Sequence, residues 1–130
     1  KEPDKNKALS LINNAKEDIL FTLSMPIKDN SSNTIVRNIY ESFRMLGESL
    51  LVIKGFESND HIQSINELLK MNIETLRPIY LLDNLRKTRH KINYQGYKAR
   101  IEDAEEAMSI AKACFMPIFK EIKKIIEKDN

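Results

Sequence analysis

Apolar residues recur three and four positions apart along almost the whole chain, and only 3 Gly and 4 Pro interrupt the pattern. Such spacing gathers apolar side chains on one stripe of a helix, and no stretch shows the period of two that a half-buried strand requires. The chain is therefore expected to be all-α, an antiparallel helical bundle of about five helices with short connections. Its 130 residues, 42% of them hydrophobic, suit a single domain over 1–130 with one core. No internal repeat breaks that unit, and the stretch DNSSN is a turn, too short for a domain linker.

The first helix is expected over Lys5 to Leu23, with Ala8, Leu11, Ala15 and Ile19 inward, stopping before the loop around Pro26. A second begins after Ser31 or Ser32, either of which can cap its first amides. It carries Ile35, Ile39, Phe43, Leu46, Leu50 and Ile53 until Gly55 ends it. As the most apolar helix it should be central. Gly47 inside it costs about 1 kcal/mol against Ala, which points to close approach of another helix or of a second copy. The third is short, capped by Asn59 or Asp60, with Ile62, Ile65, Leu68 and Leu69 inward.

The fourth helix starts near Pro78, runs through Leu82 and Leu85, and breaks at Gly96. A fifth opens with Glu102, Asp103, Glu105 and Glu106 and closes with Lys120, Lys123, Lys124 and Lys128, an order that complements the helix dipole at both ends. Its inward residues are Ala104, Ala107, Met108, Ala111, Phe115, Ile118, Ile122 and Ile125, and Pro117 should kink it without breaking it.

Several function classes drop out. A single cysteine, Cys114, rules out an internal disulfide framework, suits a reducing compartment and reads as a core thiol. No apolar run is long enough to cross a bilayer, and no signal-peptide pattern follows KEPDKNK, so a cytoplasmic protein with no membrane partner is expected. The chain starts at Lys1 rather than Met, so a few further native residues are expected ahead of it. Neither a Gly-rich phosphate loop, a Walker motif nor a nucleophile elbow occurs, and no cofactor is expected. His61 has no ligand-type partner at metal spacing; it reads as a packing or surface residue, and no metal site is expected.

Formal net charge is only +2, so affinity for phosphate must come from local clustering. Asn84 to Arg100 is the cluster: six Lys or Arg plus His90, and no Asp or Glu. On a helix Arg86 and His90 share a face, as do Arg89 and Asn93. Guanidinium presents a planar fork of donors suited to phosphate, and imidazole moves protons near neutral pH, so these are groups an RNA phosphodiester needs. Cations also collect at helix C-termini because the dipole favours them there, which explains the cluster without any ligand. Tyr40 and Phe43 are expected in the core. Tyr97 either stacks a base or caps the end of the bundle.

The stretch LRKTRHKINYQGYKARIEDAEEAMSIAKACFMPIFKEI resembles the fourth and fifth helices of the HEPN domain family, the higher eukaryotes and prokaryotes nucleotide-binding domain. IVRNIYESFRMLGESLLVIKGFESNDHIQSINELL resembles its second helix, Gly turn and His-led third helix, so the likeness covers most of the chain. The family motif is an arginine, a polar Asn, Asp or His, a few residues, then a histidine. Arg89 and His90 match its first two positions, and Tyr94 stands where the catalytic histidine of the ribonuclease members is expected. Taking Arg86 as the arginine puts His90 at the histidine position with one residue fewer between them.

The resemblance implies a metal-independent chemistry in which arginine steadies phosphate and histidine helps the ribose hydroxyl attack. A phenol, with a reference pKa of about 10, binds phosphate but is a poor base at neutrality. A noncatalytic module is therefore expected. It would be homodimeric and would bind RNA or nucleotide through Arg86, Arg89, His90, Tyr94 and Tyr97, and/or pair with a minimal nucleotidyltransferase in a two-component, toxin–antitoxin-like system. An active ribonuclease toxin using Arg86, Arg89 and His90 is the alternative, with His90 as its candidate catalytic base. A structural dimer without ligand is a third.

Overall fold

A computed structural model describes residues 2–56 and 61–128 of the chain. Five helices and no strand occur among them: α1 Lys5–Leu23, α2 Ser32–Ile53, α3 His61–Leu69, α4 Leu81–Tyr94 and α5 Ile101–Lys128. The expected caps Asn59 and Asp60, and the side chain of His61, lie outside the described residues.

Helix α2 packs against each of the other four. The reason is compositional: it buries residues on most of its circumference, Ile35, Val36, Ile39, Tyr40, Phe43, Leu46 and Leu50 among them. Phe43 meets Phe115 of α5 edge to face at 5.5 Å, an arrangement aromatic quadrupoles favour. Pro117 lies inside α5, which runs through it unbroken, and Cys114 is buried with its Sγ 3.4 Å from the carbonyl oxygen of Arg77. Burial pushes that thiol up from its ordinary value, as befits a core residue.

Gly47 serves packing within the chain. A Cβ built on it would lie 1.9 Å from the carbonyl oxygen of Ser64, so α3 sits directly on the backbone of α2. The helix ends follow local chemistry. Asp4 caps α1 by accepting the amide of Lys7 at 2.9 Å. Gly55, at φ 81°, closes α2: its own amide returns to Val52 and that of Phe56 to Leu51, the paired bonds of a Schellman motif. Glu67, nearly buried on α3, is pushed up by burial, but the ammoniums of Lys54 and Lys70, 2.5 Å and 3.0 Å away, bring it below the ordinary carboxylate range.

Some expectations are corrected. Ile12 and Ile126 take the core places given to Leu11 and Ile125, and Ile62 and Ile125 are exposed. Ser31 and Ser32 do not cap the first amides of α2: both hydroxyls bond back to the preceding loop at Pro26 and Lys28. Helix α4 starts at Leu81, three residues after Pro78, because the amides of Leu81, Leu82 and Asp83 bond the carbonyls three positions back and wind a tight turn first.

Candidate nucleic-acid interface

Helices α2 and α4 run antiparallel, and side-chain contacts along both mark the seam. Arg37 donates through Nε to Asn93 Oδ1 at 2.9 Å. The guanidinium of Arg89 lies 5.1 Å from the centre of the Tyr40 ring. Arg44 and Arg86 both act electrostatically on Tyr40, from the next turns along. Beyond the seam, Asn33 Oδ1 accepts the amide of Ala99 at 2.7 Å and fixes the strap that follows α4.

The four arginines do not carry equal free charge. Arg44 donates to both carboxylate oxygens of Glu41, each at 2.8 Å, and to Glu48 at 2.6 Å, and its hydrogen bonds to Glu41 lead in holding it protonated. Arg86 bonds Asp83 at 2.9 Å, and Lys87 approaches the other oxygen of the same carboxylate at 3.4 Å. The hydrogen bond from Arg86 holds the Asp83 carboxyl below its usual range. Among the described residues, neither Arg89 nor Arg37 has a carboxylate at ion-pair distance.

What holds Arg89 is aromatic. It lies over the ring of Tyr40, which is 1% exposed, at 5.1 Å and over that of Tyr94 at 5.9 Å. Cation–π contact of this kind fixes a guanidinium without consuming its charge, and its N–H edge stays available to an anion. Burial raises the Tyr40 hydroxyl above its ordinary value, with Arg89 the first of the charges opposing that shift. His90 is exposed and rests on Tyr94, ring centres 4.9 Å apart at 44°.

The structure thus brings Arg89, His90 and Tyr94 together and sets two expected residues apart. Arg86 stands in the same row but is neutralised by Asp83. Tyr97 leaves the group: its hydroxyl donates to Asp103 at 2.5 Å, Lys91 covers its ring at 4.7 Å, and it closes the end of the bundle against α5. That hydrogen bond raises the Tyr97 hydroxyl above its ordinary value. Gly96, at φ 68°, makes the turn between α4 and this contact.

Sequence reasoning put Tyr40 in the core, where it lies, but did not join it to Arg89, and it missed Arg37 as the partner of Asn93. Arg37 and Tyr40 are three apart on one helix face, and that spacing was the available signal. A concavity of about 550 Å³ beside Phe56, Glu67 and Lys70 contains none of these residues. Among the described residues no group of three or more His, Cys, Asp or Glu could hold a metal ion, and no helix is long and apolar enough to cross a membrane. Comparison with known protein families, with curated proteins and with solved structures gives no match.

Proposed function

We propose that this chain is a noncatalytic binding module of the HEPN type that holds the phosphates of RNA, or of a nucleotide, at the Arg89 end of α4. The observation carrying this reading is Arg89 held against the rings of Tyr40 and Tyr94 with no carboxylate at ion-pair distance among the described residues. A fixed cation on α4, flanked by an exposed tyrosine and an exposed histidine, suits a backbone phosphate with a base laid on the aromatic rings. His90 touches the Tyr94 ring, and among the described residues no carboxylate orients it, which favours binding over general-base work.

The module acts as a homodimer and pairs with a minimal nucleotidyltransferase. Both statements rest on the family resemblance alone, since Gly47, one ground for a second copy, is occupied by α3. The test is binding of a labelled single-stranded RNA in chelator at several salt concentrations. Arg89→Ala should weaken binding by about 1–3 kcal/mol, the range for a charge-assisted hydrogen bond, and wild-type affinity should fall as salt rises. Cleavage of that RNA in chelator, abolished by His90→Ala, would replace this reading with the ribonuclease one.

A further inference from the structure

We infer that Arg37 of α2 is the second guanidinium of the anion site, in the place the chain's own spacing gives to Arg86, with Asn93 as the residue that positions it. This deepens the phosphate-binding reading above and rests on it. Nothing near Arg37 in sequence suggests the role, because its partner is 56 residues away.

Three observations converge on it. First, Arg37 is exposed and spends one donor, Nε, on Asn93, an uncharged amide, so its charge is intact and its terminal nitrogens, which bond no side chain among the described residues, remain for a ligand. Second, Asn93 follows Arg89 by four residues and shares its face of α4, while Tyr40, which lies under Arg89, follows Arg37 by three on α2. The two guanidiniums therefore occupy neighbouring rungs of one seam; three helical residues advance only about 4.5 Å. Third, the next rung is silent: Arg44 and Arg86 are both held by carboxylates.

Two uncompensated guanidiniums on neighbouring rungs of facing helices offer more than one phosphate contact, which a strand carrying successive phosphates can use and a lone anion cannot use in full. The ligand class is a single-stranded nucleic acid crossing the seam at the Arg37–Arg89 end.

The experiment measures affinity of a labelled oligouridylate of about 12 nucleotides, within the range of single-strand site sizes, against salt. Arg37→Ala should lose roughly ten-fold or more in affinity and lower the salt slope by about one, as loss of one phosphate contact requires. Arg37→Lys should keep the slope and lose less. Asn93→Ala should weaken binding with the slope retained, the mark of a residue that aims a charge and does not supply one. Arg86→Ala should cost less than about two-fold, because its charge is already spent on Asp83. Thermal unfolding of each variant separates binding loss from unfolding.

If Arg89→Ala loses binding while Arg37→Ala stays within two-fold of wild type, the inference is wrong and the phosphate reading survives. An Arg37→Ala loss with unchanged slope also overturns it, since Arg37 would then act only as a strut. Absence of salt-dependent RNA binding by the wild type removes both.

Discussion

The two ends of the α2–α4 seam are built from the same residue type and differ in what holds it. At one end Arg44 and Arg86 are clasped by Glu41, Glu48 and Asp83. At the other, Arg37 and Arg89 are clasped by an amide and by aromatic rings. An anion approaching the first end meets ion pairs that must be broken before anything is gained; at the second it meets charge that is already ordered. Surface ion pairs are weak, roughly 0.2–1 kcal/mol each, yet they suffice to lower the local potential. Clusters of basic residues therefore matter less than the partners those residues have already taken.

The comparison can be broken most forcefully by disturbing α2 itself. Gly47→Ala drives a methyl into the backbone of Ser64, two turns beyond Tyr40 on the same stripe. Helix propensity favours the alanine by up to about 1 kcal/mol, but overpacking against a carbonyl outweighs it, and a net loss of about 1–3 kcal/mol is expected in denaturant unfolding. Because the clash lies away from Arg37 and Arg89, folded protein should keep its RNA affinity. Lost affinity at full folding would mean that the two ends are not independent.

Asp83→Asn sharpens the contrast from the other side. It frees Arg86 and Lys87 and should tighten RNA binding by up to about 1 kcal/mol, making the closed end resemble the open one. The same carboxyl sets a small acid dependence. Its value is lowered in the folded protein, so its contribution is present above the ordinary carboxyl range and is lost as pH falls through the lowered value. Since Asp83 is partly exposed, acid titration of the wild type against Asp83→Asn should reveal a difference below about 1 kcal/mol. A variant that binds RNA less tightly than wild type would contradict the account.

The smallest effect belongs to Tyr94→Phe. The ring remains over Arg89 and beside His90, so only a hydroxyl contact to the ligand is lost at a well-exposed position, about 0.5 kcal/mol, and stability should not move. A loss matching that of Arg89→Ala would make the hydroxyl, not the guanidinium, the principal anchor.

Much of the fold was legible because helical periodicity is a local signal. The span Lys5–Leu23 and the end of α2 before Gly55 follow directly from apolar spacing, a proline and a glycine. Errors arose where two apolar residues adjoin. Between Leu11 and Ile12, and between Ile125 and Ile126, one residue turns the stripe by a hundred degrees, and only the neighbouring helices decide which faces inward. The serines at the start of α2, Ser31 and Ser32, bond to a loop close by, a choice that spacing does not encode.

The site was legible in half. Arg89, His90 and Tyr94 share a helix and could be grouped by spacing. Asp83 lies one residue outside the acid-free stretch from Asn84, and that single position neutralises Arg86. Arg37 and Tyr40 reach the site through tertiary packing across more than forty residues, where no local period carries information.

The central claim, that charge is available at one end of the seam and spent at the other, is tested most directly by nitrogen-15 NMR of the arginine side chains during titration with single-stranded RNA. The account predicts that the Nε resonances of Arg37 and Arg89 move first and together, while those of Arg44 and Arg86 hold their positions. Movement of Arg44 and Arg86 at the same RNA concentration, or no movement at Arg89, would contradict it.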